Sequence, residues 1–215
     1  MREVRSGSGS AIPYELLMAI QSGVMSYSYR GLPTWKNPFD LALYPMLIER
    51  LRPRTIIEIG SNAGGSALWF ADTAAAIGCA AHVYSVDLTP PSGPADPRIS
   101  FLEGDARDLQ GAFGDAMLAQ LPRPWLIVED SDHRFETSLA VLRFFDPWLR
   151  PGEYIVIEDG ILSDMRVAAD YGGGPLRAIH AFLAESRGRY AIDRSYCDHF
   201  GRNVTWNVDG YLRRE

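Results

Sequence analysis

Apolar residues along this chain fall into two periods that take turns. Thr55-Ile56-Ile57, His82-Val83-Tyr84-Ser85-Val86, Ile99-Ser100-Phe101-Leu102, Trp125-Leu126-Ile127-Val128 and Tyr154-Ile155-Val156-Ile157 are short, nearly continuous runs. Runs of that length, rich in β-branched residues, suit strands buried on both faces of a parallel sheet. Between them, apolar positions near Leu68, Leu118, Leu139 and Ile179 recur at helical spacing. Strand and helix therefore alternate, and the expected fold is α/β: a Rossmann-like, doubly wound, mostly parallel sheet. The tail from Tyr190 to Leu212 carries short alternating segments, expected to close the sheet with an antiparallel C-terminal edge. Upstream, Tyr14 to Gln21 reads as a short helix. Asn37-Pro38-Phe39-Asp40 reads as an N-cap, a proline at the first helical position and an acid in the first turn, opening a helix through Leu41, Tyr44, Leu47, Ile48 and Leu51. The expected organisation is a flexible leader over 1–12 and one domain over 13–215, with residues 13–52 as its N-terminal helical arm.

The strands end as regularly as they begin. Arg52-Pro53 bars helix from running into the first, which closes on Glu58-Ile59-Gly60-Ser61-Asn62-Ala63-Gly64-Gly65-Ser66. The glycines turn the chain, and the helix that follows offers free N–H groups and its positive dipole end above the strand. A dinucleotide fingerprint would need glycine where Asn62 stands, and no Gly-Lys-Ser/Thr phosphate loop occurs. The spacing Glu58-x-Gly60-x-x-x-Gly64 instead resembles the first motif of S-adenosylmethionine-dependent methyltransferases. That resemblance implies that Gly60, Ser61, Asn62, Gly64 and Ser66 lie against the methionine part of the cofactor, with Glu58 meeting its ammonium group. The second strand ends in Asp87, a carboxylate able to accept both ribose hydroxyl hydrogens. The third leads to Asp105-Ala106, placing Asp105 as a partner for the adenine amino group. Leu149-Arg150-Pro151-Gly152 resembles the turn before the fifth strand of such enzymes.

Composition narrows the class. A chain of 215 residues with 47% hydrophobic content is long enough to bury a full core. No apolar run approaches membrane-spanning length, and the first ten residues lack the hydrophobic segment of a signal peptide, so a cytoplasmic protein is expected. Cys79 and Cys197 are the two cysteines, too few for a disulfide framework or a thiolate metal site. A net charge of -6 without a basic cluster argues against nucleic acid. A small-molecule or oligosaccharide acceptor fits better, and a homodimer is allowed.

Chemistry is expected at the carboxyl ends of the fourth and fifth strands, where Glu129-Asp130-Ser131-Asp132-His133 and Glu158-Asp159 converge. Carboxylates gathered in one crevice repel each other unless a cation lies between them, and hard oxygen ligands suit Mg²⁺. Asp130, Glu158 and Asp159 are the expected ligands. A divalent ion would lower the pKa of an acceptor hydroxyl, leaving proton removal and alignment to the protein. His133 is the expected base, with Asp132 competing for the role. His180 shares a stripe with Leu176, Ile179 and Leu183 and is expected to pack rather than react. Tyr171-Gly172-Gly173-Gly174-Pro175 lies on the acceptor side, as either a lid or a connecting loop.

Taken with Tyr27 to Leu41 and Phe200-Gly201-Arg202-Asn203…Gly210-Tyr211-Leu212, these segments resemble the cephalosporin hydroxylase family over nearly the whole chain. The resemblance implies a class I methyltransferase sheet, metal ligands at Asp130, Glu158 and Asp159, and Asp132 or His133 as base. Its relatives include Mg²⁺-using sugar O-methyltransferases, among them enzymes of actinobacterial polymethylated mannose and glucose polysaccharides. Tyr29, Arg30, Trp35 and Tyr171 are then candidates for the sugar. The chain is short for that family, with little room for an oligomerisation domain. An oxygenase would want two histidines and one carboxylate on one ion, and the crevice offers one histidine and several acids. A non-catalytic cofactor-binding module would have no use for the paired acids.

Overall fold

The structure, a computed structural model, describes residues 9–93 and 95–215. Two helices lead: α1 (Tyr14–Val24) and α2 (Pro38–Leu51), joined through a small hairpin of Ser28–Tyr29 with Leu32–Pro33. The hairpin turns on Arg30 and Gly31, both at positive φ, the backbone that a tight two-residue turn requires. At the start of α2, Asn37 Oδ1 accepts from Phe39 N at 2.7 Å and Pro38 fills the first helical position, as the sequence pattern predicts. Residues 1–8 of the expected leader lie outside the described residues. The rest of it is tied down: Ser10 N donates to Asp164 Oδ1 at 3.1 Å, Ser10 Oγ to Asn203 O at 2.7 Å, and Ala11 N to Arg202 O at 2.8 Å.

The central sheet has seven strands: β1 (Thr55–Ile59), β2 (His82–Asp87), β3 (Ile99–Glu103), β4 (Trp125–Glu129), β5 (Tyr154–Ile157), β6 (Tyr190–Ile192) and β7 (Tyr211–Arg214). They lie in the order β3-β2-β1-β4-β5-β7-β6. The first five are parallel, whereas β7 runs antiparallel to β5, with Ile155 opposite Leu212, and β6 antiparallel to β7. The expected antiparallel C-terminal edge is therefore present. Alternation along the strands feeds two cores. Ile57, Ile127 and Ile155 face Phe145, Ile179 and Phe182, with the helices Phe135–Phe145 and Gly174–Ser186 covering that side. Ile56, Leu126 and Val156 face Leu47, Ile48 and Phe70, from α2 and α3 (Gly65–Ala76). Burying each such side chain fully contributes roughly 1.5–3 kcal/mol, which is why β1, β4 and β5 tolerate no exposed position. A third, smaller cluster of Leu17, Val24, Ile161, Met165 and Trp206 holds α1 beside the C-terminal loops.

The ladder runs on past the strand ends. Gly60 N donates to Val86 O, Asp130 N to Ile59 O and Glu158 N to Glu129 O, at 2.8–2.9 Å. Those bonds bring the glycine loop and both acidic loops into one row at the carboxyl edge. No helix among the described residues is long and apolar enough to cross a membrane.

Candidate active site

Around the glycine loop the polar groups are fixed by each other. Glu58 is fully buried near the end of β1, and its Oε2 accepts from Ser85 Oγ at 2.5 Å. Burial pushes its pKa up, against the pull of Lys36, Ser66 and Ser85. Its other oxygen, Oε1, is buried without a hydrogen-bond partner. Asp87, at the tip of β2, accepts on Oδ2 from Ser61 N and Asn62 N, each at 3.0 Å, and on Oδ1 from Thr89 N at 3.1 Å. Asp87 thus shapes the loop as well as facing the space above it. Gly64 caps α3 at φ 79°, and Ser66 is buried in the first turn. Gly60 stands at φ +105°, where a Cβ would lie 2.1 Å from Asp130 O. Beside the loop opens a cavity of about 220 Å³ lined by Gly60, Asp87, Asp105, Ala106, Ser131 and Asp132 among others. Asp105 reaches its wall paired with Arg107, at 2.7 Å. An orphaned buried carboxylate oxygen and a cavity floored by a glycine suit a small ligand carrying a cationic group.

The second half of the site lies between the β4 and β5 loops. Single ligand atoms of Asp130, His133 and Asp159 all lie within 4.8 Å of one another. His133 Nδ1 is 3.3 Å from Asp159 Oδ2 and 4.0 Å from Asp130 Oδ1, yet it makes no hydrogen bond. His133 holds φ 58° and Asp159 φ 57°, left-handed conformations that side chains rarely adopt. Burial disfavours the imidazolium, but Asp159, Asp130 and Glu129 outweigh it, so the pKa of His133 stands above its usual value. Burial likewise raises Asp159, opposed by His133. The two carboxylates of Asp130 and Asp159 face one point and fit a divalent cation, with the His133 ring beside them.

Glu158 is drawn differently from its neighbour. Its Oε1 accepts from Lys36 Nζ at 2.7 Å and from Tyr44 OH at 2.5 Å, and Lys36 Nζ also reaches Asp130 Oδ2 at 2.5 Å. Lys36 is 2% exposed; burial works against its charge, but Asp130, Glu158 and Glu58 hold its pKa above the ordinary lysine value. Asp132 points elsewhere: it is half exposed, accepts from Arg134 N at 3.1 Å and belongs to the cavity wall. Of the residues expected to meet a sugar, Tyr171 lies against His133 with ring centroids 6.2 Å apart, and Trp35 is 48% exposed beside Lys36. Tyr29 and Arg30 are both bonded to Asp72 of α3, at 3.0 and 2.9 Å, where they clamp the hairpin. His180 is partly exposed and pairs with Asp209 at 3.3 Å.

The sequence pattern assigns no role in the site to Lys36, Tyr44 or Glu129. Glu129 is buried beneath the cluster, bonded to Ser131 and to Ser138 Oγ at 2.9 Å. The available signal was its place at the tip of β4, beside Asp130. For Lys36 the signal was a lone lysine between an exposed tryptophan and a helix cap. Tyr44 offered none, because its spacing in α2 is that of a core residue.

A 3-2-1-4-5-7-6 sheet with a glycine loop after its central strand and acids at the neighbouring tips defines a class I methyltransferase fold. The chain belongs to the rhamnosyl O-methyltransferase/CmcI family, whose profile matches residues 21–215. It is 31% identical over 192 residues to a rhamnosyl O-methyltransferase of Mycobacterium tuberculosis, covering 87% of this chain and 78% of that protein. The rhamnosyl O-methyltransferase of Mycobacterium leprae is 33% identical over 192 residues, covering 87% and 83%. Among solved structures, CmcI described as Mg-SAM superposes with a TM-score of 0.68 at 28% identity, covering 89% of this chain and 77% of that one.

Proposed function

We propose that this chain transfers a methyl group from S-adenosylmethionine to a hydroxyl of a rhamnoside or related glycoside, with Mg²⁺ at the β4–β5 crevice. The observation that carries the reading is the pairing of the Asp130–His133–Asp159 cluster with the glycine-floored cavity across the close backbone approach at Gly60. The names of the family and of its relatives support a rhamnosyl sugar as the acceptor over the mannoside or glucoside that the sequence suggests. When bound, the cofactor offers an electrophilic methyl, and the divalent ion acidifies an oxygen that it touches.

The protein's own groups do the rest. Glu58 Oε1 is placed for the cofactor's ammonium group, Asp87 for the ribose and Asp105 for the adenine, with Gly60, Ser61, Asn62, Gly64 and Ser66 forming the cradle and Ala106 its wall. Asp130 and Asp159 are the proposed ion ligands, whereas Glu158, expected from the sequence as a third, is held through Oε1 by Lys36 and Tyr44 and is not part of the Asp130–His133–Asp159 group. His133 is the acceptor's base, through Nε2, with the Asp159 carboxylate 3.3 Å from Nδ1 on the other side of the ring. Asp132, engaged with Arg134, is the weaker choice. Tyr171 lines the sugar side next to His133. Two unpaired buried thiols, Cys79 and Cys197, suit a reducing compartment, so the cytoplasm is the proposed location.

The test is methyl transfer from labelled cofactor to rhamnoside acceptors with and without chelator. Product should vanish in excess chelator and return with Mg²⁺, and His133→Asn should lower kcat by about 10²–10⁴-fold with little change in cofactor affinity. Undiminished turnover in chelator overturns the metal role. A dead Asp132→Asn enzyme beside a fully active His133→Asn enzyme reverses the two bases.

A further inference from the structure

Holding Glu158 Oε1 does not by itself call for the buried positive charge of Lys36. A lysine almost never becomes fully buried unless it is paired, and this one is paired twice. Its ammonium bridges Asp130, on the β4 loop, and Glu158, on the β5 loop, two carboxylates that repel each other strongly in a buried setting. The side chain is held from the arm rather than from the sheet. Lys36 N donates to Thr34 O at 2.9 Å, and Asn37 beyond it caps α2. Pro33 and Thr34 in turn lie against the first turn of α3, where a Cβ on Gly65 would come within 2.3 Å of both Pro33 O and Thr34 Oγ1. The ammonium is therefore anchored on a braced segment.

We infer that Lys36 is the site's resident counter-cation: it neutralises Asp130 and Glu158 before a divalent ion arrives, and its fixed charge beside the ion's place weakens the hold on that ion. This rests on the metal reading above. Lys36 contributes no ligand atom and is a positioning residue. Two consequences follow from charge alone. Without the ammonium, the metal-free protein carries uncompensated buried carboxylates and loses stability. The same excess negative charge draws a divalent cation more strongly, because the ion no longer meets a positive neighbour that shares the carboxylates of Asp130 and Glu158. A group that only supported the ligands would give the opposite result on removal, namely weaker metal binding.

The experiment is a Mn²⁺ titration of the full chain, read by the paramagnetic signal of free Mn²⁺, on the parent, Lys36→Gln, Lys36→Met and Lys36→Arg. No acceptor is present, so turnover plays no part. Lys36→Gln and Lys36→Met should bind Mn²⁺ about tenfold or more tightly than the parent, and their melting temperatures should rise more on adding the ion. Lys36→Arg keeps the charge and should behave like the parent. If Lys36→Met folds only with Mn²⁺ present, that dependence also supports the inference. Equal or weaker Mn²⁺ binding by folded Lys36→Gln overturns it, as does a Lys36→Met protein that fails to fold even with Mn²⁺ while Lys36→Gln binds like the parent. A parent chain that binds no Mn²⁺ would instead remove the metal reading itself, so the two failures are distinguishable.

Discussion

Gly60→Ala tests the contact on which the whole site depends. The glycine follows β1 at φ +105°, a region that costs an L-residue roughly 1–3 kcal/mol. Sterics add to this. The new Cβ would lie 2.1 Å from Asp130 O and 2.7 Å from Asp130 C, whereas ordinary contact begins at 3.4 Å. Both obstacles are backbone, so no side chain can rotate away, and the loops after β1 and β4 must part by more than an ångström. Overpacking of that kind costs roughly 1–3 kcal/mol further, giving a total of roughly 2–6 kcal/mol. The bond from Asp130 N to Ile59 O, 2.8 Å long, lies in the same gap and should weaken. The assay is urea unfolding combined with calorimetry of S-adenosylhomocysteine and of Mn²⁺. Stability should fall by the stated range, and both affinities should drop together, because the displaced loops carry the cofactor cradle and a metal carboxylate. Gly188→Ala is the control: its φ is +82° but nothing lies within 4 Å of its Cβ, so it should lose stability and keep both affinities. A Gly60→Ala protein with the parental urea midpoint and parental affinities would refute the reasoning.

Two further outcomes are expected. Asp87→Ala should weaken S-adenosylhomocysteine binding by roughly 1–3 kcal/mol, since it removes both the ribose acceptor and the anchor of Ser61 N and Asn62 N; calorimetry showing unchanged affinity would take Asp87 out of the site. Asp40 is buried under Thr205, Trp206 and Tyr211, and burial raises its pKa from 3.8 to about 6. Between those values the native state keeps a proton that the unfolded chain has lost, so this group lowers stability as pH rises from about 4 to 6, by about 3 kcal/mol. Asp40→Asn should abolish that slope and gain on the parent as pH rises through the window. Parallel stability curves for parent and variant at pH 4, 5, 6 and 7 would exclude it.

Much of the architecture is written locally. Ile56-Ile57 and Leu126-Ile127-Val128 are apolar on consecutive positions because both faces of a central parallel strand are buried, so the sequence alone announces the sheet. Asn37-Pro38 announces the start of α2 because capping uses the chain's own next residues. Gly60 and Gly64 are legible for the same reason: their positive φ belongs to the residue itself. The composition of the cation site is not local. Asp130 and Asp159 sit at strand tips that periodicity can find, but the direction in which each acid points depends on what arrives from elsewhere. Lys36 reaches Asp130 across 94 residues and Glu158 across 122, and Tyr44 reaches Glu158 across 114. Asp40 reads as a helix-dipole acid from its position, yet it serves a loop 165 residues away. Tyr29 and Arg30 read as candidates for the sugar, yet their bonds to Asp72, which hold the hairpin, are visible only in the folded chain. Spacing along the chain fixes which face a side chain occupies; only the folded packing decides which distant charge shares that face, because electrostatic partners are chosen by proximity in space and carry no period in sequence.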